Sequence, residues 1–331
     1  MQHTQPGMTR GYGMTRKRTL PGDALRDSGL PLEFAVSQAL TGIKGVLPKG
    51  RYFYERDGTT CETDLWALHR WEGRTSGRND EINHVLFLEC EHRAPSKNWC
   101  FFPQAKNVVD RSKNAIFSGF IPSTRPLDKS RLRPLEKEFF TDVPIVGDGI
   151  ELFEGGSGQW SHNSPAIRNA IRQATMPIGD MLSMVFFASS GCDWKKTAAL
   201  YFFTPVIVTT ARIQVLKPDV GWKDLSRCAN IDECFEEKNS VCSVFTTPSY
   251  IQGYWRDSFE RGLKRAPSDF TIDAICEFGD PSDDFVTYEI TESAVDGKPT
   301  RVLVVELDSL NEVIGKYLGV VKEEIETCMG R

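Results

Sequence analysis

"HVLFLECEHRAPSKNWCFFP", residues 84–103, places four apolar residues, Val85 to Leu88, directly ahead of two carboxylates two positions apart. Residues two apart on a strand share a face, so Glu89 and Glu91 leave one end of an apolar element pointing the same way. Like charges so placed repel unless a metal ion or a basic group sits between them. The question is where the chain finds that positive partner.

Upstream, "RYFYERDG" reads as a strand ending in an Asp-Gly turn and "CETDLWALHRW" as the next, with Asp64 near its start. Ahead of them "SGLPLEFAVSQALTGIKG" predicts a helix, with Ser28 as N-cap, Pro31 in the first turn and Leu32, Ala35, Val36, Ala39, Leu40 and Ile43 on one buried stripe. Glu33 lies at the edge of that stripe. "EGRTSGRNDE" reads as a turn, "APSKN" as a loop, and "WCFFP" as a short edge strand stopped by its proline. If the second and third strands are neighbours, Asp64 and Glu89 converge on one divalent cation, with the carbonyl of Cys90 as a further hard oxygen ligand. Such an ion activates a water and offsets charge building on a phosphodiester. Glu62 shares the face of Asp64 on an ideal strand and competes for its role.

The order of a helix bearing Glu33, a strand, the Asp64 strand and "FLECEHR…NWCFFP" resembles the restriction-endonuclease-like superfamily, whose signature is Asp, then Asp or Glu, any residue, Lys. The motif proper covers residues 29–103. The resemblance implies an α/β fold with a mixed central sheet and flanking helices. It implies Mg²⁺ or Mn²⁺ as cofactor, DNA as partner, and Asp64 and Glu89 as metal ligands with Cys90 beside them. It makes Glu33 an accessory acid and Gln173 of "AIRNAIRQA" a counterpart of a helix glutamine found in some members. Bacterial defence or DNA repair is the setting it implies, and a homodimer is compatible with it. One departure matters: Glu91 stands where the family has lysine. A glutamate supplies no positive charge, although a carboxylate there can act as general base or share a second metal. Lys97 or Arg93, from the following loop, can fill in for the missing cation; His92 alternates to the opposite face.

The rest of the 331 residues is bounded by composition. Apolar residues are 40% and charged ones 26%, the balance of a globular protein, and the net charge of −5 argues against nucleic-acid affinity through overall charge. Two stretches run against that sign. Residues 1–29 carry Arg10, Arg16, Lys17 and Arg18 with no acid before Asp23, and read as a basic disordered tail or a nucleic-acid-touching arm. Between Gln104 and Phe140 eight basic residues face four acids. That region, about 104–160, is broken by prolines and reads as an insertion, with Arg125, Lys129, Arg131 and Arg133 as candidate nucleic-acid contacts. The expectation is one nuclease-like domain over residues 30–331.

Further on, Ser164 and Pro165 open one or two helices around Pro177, and "ALYFFTPVIVTTARIQVL" is β-branched enough for central strands. "FVTYEITES" and "TRVLVVELDS" flank "AVDGKP" as a hairpin. Leu310, Val313, Ile314, Tyr317, Leu318, Val321 and Ile325 mark a closing amphipathic helix. Nine cysteines, an odd number without a C-x-x-C pair, together with the absence of a signal peptide or of an apolar run of about 20 residues, predict a reduced cytoplasmic protein away from membranes. Cys228, Cys234 and Cys242 read as free core thiols, not a zinc site. "EGGSGQ" lacks the Gly-Lys-Ser/Thr of a P-loop, Ser161-His162 lacks an elbow, and two acids on one strand face do not flank a sugar as a glycosidase pair must.

Overall fold

The computed structural model describes residues 22, 28–56, 58–75, 78–104, 121–122, 143–155, 158–189, 199–237, 241–246, 253–255, 257–258, 261, 275–276 and 300–328. In chain order they form α1 (Leu30–Thr41), β1 (Val46–Arg56), β2 (Thr59–Thr75), β3 (Arg78–Glu91), β4 (Lys97–Pro103), β5 (Ile145–Glu154) and β6 (Trp160–Asn163). Then follow α2 (Ser164–Thr175), α3 (Pro177–Ser189), β7 (Ala199–Thr209), β8 (Arg212–Leu216), the one-turn helices α4 (Trp222–Leu225) and α5 (Ile231–Cys234), β9 (Phe235–Glu237), β10 (Val241–Thr246), β11 (Thr300–Glu306) and α6 (Leu310–Cys328). The strands build one mixed, eleven-stranded sheet in the order β1-β2-β3-β7-β11-β10-β5-β4-β8-β9, with β6 paired to β5. A separate pairing joins Ile121–Pro122 to Ile275–Cys276. The class is α/β.

The opening stretch explains itself once both faces of β3 are seen. β3 pairs antiparallel with β2 and parallel with β7. Leu86 and Leu88 pack with Leu32, Val36 and Leu40 of α1 and with the buried stripe of α6, while Val85 and Phe87 pack on the other side against Met176, Ile178 and Met181. A strand covered on both faces is apolar at consecutive positions. Burying Leu86, Phe87 and Leu88 completely stabilises the fold by roughly 2 kcal/mol per side chain. Helix α2 lies on the same face as α3, where Ile167, Ala170, Ile171 and Ala174 meet Trp99, Phe101, Val146, Ile207, Val302 and Val304.

Several expectations change. Gly29, in left-handed conformation at φ 76°, caps α1, while Ser28 stands one position outside. Pro31 occupies the first turn as expected. Within "EGRTSGRNDE", read as a turn, β2 and β3 stay paired as far as Thr75 opposite Arg78. β4 is not an edge: it lies between β5 and β8. Trp99, Cys100 and Phe101 are wholly buried on alternate faces, and Pro103 falls where the pairing with β5 shifts register, so its missing N–H breaks no regular ladder. Residues 145–154, expected within an insertion, form β5 inside the sheet, with β6 at its side. The first half of the expected 285–309 hairpin, the tail before residue 22, Ile325's side chain and the basic Arg125, Lys129, Arg131 and Arg133 lie outside the described residues. Cys228 and Cys234 belong to one small cluster and Cys242 to another; all three are free. Among the described residues no helix is long and apolar enough to cross a membrane.

Candidate functional site

Asp64 and Glu89 sit on adjacent strands. The β2–β3 ladder runs down to Leu65 opposite Leu88 and stops. Beyond it the Asp64 carboxylate takes over, its Oδ2 accepting the main-chain N–H of Cys90 at 2.8 Å. A β-bulge aims it there. On the other side of β2, Gly50 pairs with Trp66 but Tyr52 pairs with Thr63, so Asp64 and Leu65 together oppose Arg51. An extra residue in one strand turns a side chain out of simple alternation. It parts Asp64 from Thr63, whose hydroxyl donates to the Gln173 carbonyl of α2 at 3.2 Å.

Glu89 follows Leu88 along β3 and turns to the α2–α3 side, since Phe87 packs there. It is 5% exposed and its Oε2 has no hydrogen-bond partner among the described residues. Burial, then Asp64 and Glu91, push its pKa up to about 9, against a smaller opposing effect of the Asp64 amide. Asp64 is also raised, first by burial; the Cys90 N–H and Arg51 work the other way, Glu33 and Glu62 with it. Burial raises Glu91 too, while Arg93 opposes. Glu89 therefore feels the charges of Asp64, Glu91 and Glu33 at this end of the sheet.

Two cations border that end. Arg51 of β1 places Nη2 3.1 Å from Glu33 of α1 and Nη1 2.9 Å from Glu62 of β2. Glu62 is thereby committed to an exposed ion pair. Beyond the end of β3, Arg93 places Nη2 2.6 Å from Glu91 and Nε 2.7 Å from Glu151 of β5. Glu151 is 2% exposed and also receives the Trp99 indole N–H at 3.1 Å and the Lys97 ammonium at 3.3 Å. Lys97 lies over the Phe153 ring, 3.2 Å from its centroid, so its link to Glu91 runs through Glu151 and Arg93. Gln173 is half-buried on α2, and beside it Arg172 acts electrostatically on Tyr54, as does Glu89. Tyr54 helps line a cavity of about 620 Å³ with Thr60, Asp180, Ser183, Met184 and Arg261.

Arg51 and Glu151 were not singled out from sequence. Arg51 is marked only by its place opposite the bulge, which depends on pairing. Glu151 carries the same signal as Glu89, an acid at an inward slot of a strand, but prolines and charges nearby disguise that strand.

Among the described residues no group of three or more His, Cys, Asp or Glu side chains lies close enough to hold a metal ion. The Oε2 of Glu89, buried and without a hydrogen-bond partner among the described residues, is the kind of oxygen a hard cation would satisfy, and Asp64 on the neighbouring strand is the acid that would share it. No family model matches the chain, nor does any curated protein or solved structure.

Proposed function

We propose that the protein is a metal-dependent nuclease hydrolysing phosphodiester bonds in DNA, built on a restriction-endonuclease-like core. The observation that supports this reading is that Asp64 and Glu89 stand on neighbouring strands at the shared end of β2 and β3, with Asp64 Oδ2 on the Cys90 amide and Glu89 Oε2 buried without a hydrogen-bond partner among the described residues. The reading is supported by the adjacency of β1, the Asp64 strand β2 and the Glu89 strand β3 in the sheet. Asp64 and Glu89 would hold Mg²⁺ or Mn²⁺, which when bound supplies Lewis acidity and an activated water. This chain's own residues then have separate tasks. Glu91, fixed by Arg93, is the acceptor for a proton of the attacking water. Arg51 keeps Glu33 and Glu62 partnered at the rim.

Cleavage of plasmid DNA in Mg²⁺ or Mn²⁺, comparing wild type with Asp64→Ala and Glu89→Ala, tests the reading. Metal-dependent nicking lost in both variants is expected; cutting indifferent to both overturns it.

A second reading has its own support. Glu91 replaces the family's lysine and is tied to Arg93 at 2.6 Å. A silent nuclease fold that binds nucleic acid or scaffolds a complex fits that substitution. Retained DNA binding with no cleavage under any divalent ion favours it.

A further inference from the structure

The environment of Arg93 is more elaborate than an ion pair needs. Its main chain is clamped from both sides by one hydroxyl: the Arg93 N–H donates to Thr210 Oγ1 at 2.7 Å, and that hydroxyl donates back to the Arg93 carbonyl at 2.8 Å. Its guanidinium is held by Nε on Glu151, Nη2 on Glu91 and Nη1 on the carbonyl of its own neighbour His92 at 3.0 Å. It also lies 5.8 Å from the centroid of the Trp99 ring. Residues from the ends of β3 and β7 and from β4 and β5 thus fix one cation.

That cation is not required to neutralise Glu151. Lys97 already stands 3.3 Å from the carboxylate and the Trp99 indole donates to it. The surplus charge is turned to Glu91, the residue at the third motif position, and the guanidinium remains 23% exposed. A guanidinium has five N–H donors, of which three are assigned, and those remaining suit an oxyanion. Glu91 is also held through its main chain, its carbonyl accepting from the Thr209 hydroxyl at 3.1 Å.

We propose that Arg93 is the catalytic cation of this site, contacting the non-bridging oxygens of the scissile phosphate in place of the motif lysine, and that Glu151 is the positioning residue that aims it. This rests on the nuclease reading above. The role is charge stabilisation where negative charge develops, with the cation already oriented before substrate arrives. Fixed geometry makes arginine unlike lysine here, because Nε must engage Glu151 while Nη2 engages Glu91.

The experiment uses the full chain with a fluorescent DNA duplex and Mn²⁺, comparing wild type, Asp64→Ala, Arg93→Met, Arg93→Lys and Glu151→Gln, with melting temperatures recorded. The expected result is cutting abolished by Asp64→Ala, kcat reduced on the order of a hundredfold by Arg93→Met with little change in KM, and partial recovery when guanidinium ion is added to that variant. Glu151→Gln should lower kcat roughly tenfold, with KM unchanged, a split that mere loss of stability does not produce. If Arg93→Met does not fold, Arg93→Lys decides: charge kept and fork lost should cost roughly tenfold in kcat at an unshifted melting temperature. Wild-type kcat in a folded Arg93→Met or Arg93→Lys, beside a dead Asp64→Ala, overturns this assignment and leaves the nuclease reading standing. Cutting absent, or unaffected by Asp64→Ala, removes both.

Discussion

Asp64 accepts the main-chain N–H of Cys90 at 2.8 Å, so a side chain of β2 completes the hydrogen bonding of β3 at the point where main-chain pairing ends. The same carboxylate is thus a structural acceptor and a candidate metal ligand. Its neighbour Glu89 has the reverse character, a buried oxygen with no donor among the described residues. The two acids differ in what their removal should do.

Asp64→Asn keeps an oxygen that can accept from the Cys90 amide, whereas Asp64→Ala leaves that N–H without its acceptor. Asp64→Ala should lose about 1–2 kcal/mol of stability and Asp64→Asn much less. Both should lose Mn²⁺ binding, since the amide oxygen is a poor substitute for a carboxylate. Thermal denaturation beside Mn²⁺ titration separates the two effects. Equal melting temperatures for the two variants would contradict the structural role, and undiminished Mn²⁺ affinity the metal role.

Glu89 gives a pH dependence with a definite sign. Its pKa rises from the ordinary 4.5 to about 9, burial first and then Asp64 and Glu91. The folded state therefore holds a proton that the unfolded chain releases, so stability is complete below about pH 4 and declines as pH climbs toward 9, by at most about 1.4 kcal/mol per pH unit. Glu89→Gln mimics the protonated acid and should remove that decline, becoming the more stable protein at alkaline pH and matching wild type in acid. Urea unfolding across this range measures it, and parallel pH profiles would refute it. Mn²⁺ at alkaline pH should stabilise wild type and not Glu89→Gln; chelation should reverse that gain.

What sequence conveyed and what it hid divide along one line. The apolar run at 85–88, the α1 stripe and the α6 stripe through Val321 are local patterns whose period matches the buried faces. Asp64 and Glu89 stand out as candidates because each is an acid attached to such a pattern. The aim of Asp64 was not legible, because it depends on an extra residue opposite Arg51, a property of two strands together. Nor was the interior position of β4, whose neighbours β5 and β8 come from distant segments. Glu151 was hidden for the same reason, since its partners Arg93, Lys97 and Trp99 lie more than fifty residues earlier in the chain.

Gly149 of β5 tests the packing between the sheet and α2, away from the acids. A Cβ there would stand 2.6 Å from Phe101 Cδ1 and 3.0 Å from Ile167 Cδ1. Phe101 and Ile167 are themselves fully buried, so neither can retreat without disturbing the core. Gly149→Ala should cost about 1–3 kcal/mol, seen as a lower melting temperature with the unfolding slope unchanged. A neutral result would mean that β5 and α2 are not packed this closely.

Arg51 offers a change that should alter the chemistry while scarcely touching stability. It is 38% exposed, and its pairs with Glu33 and Glu62 sit at the rim, where exposed ion pairs contribute less than about 1 kcal/mol. Yet it is the cation that opposes the upward shift of Asp64, while Glu33 and Glu62, which it neutralises, add to that shift. Arg51→Gln therefore removes the favourable charge and uncovers two unfavourable ones, and the Asp64 pKa must rise. Mn²⁺ binding followed against pH should keep its plateau but move its acidic limb to higher pH; Arg51→Lys should move it less. The displacement should shrink as salt is added, because the charges involved face water. An acidic limb that stays in place in Arg51→Gln at low salt would show that Asp64 does not govern the metal affinity of this corner.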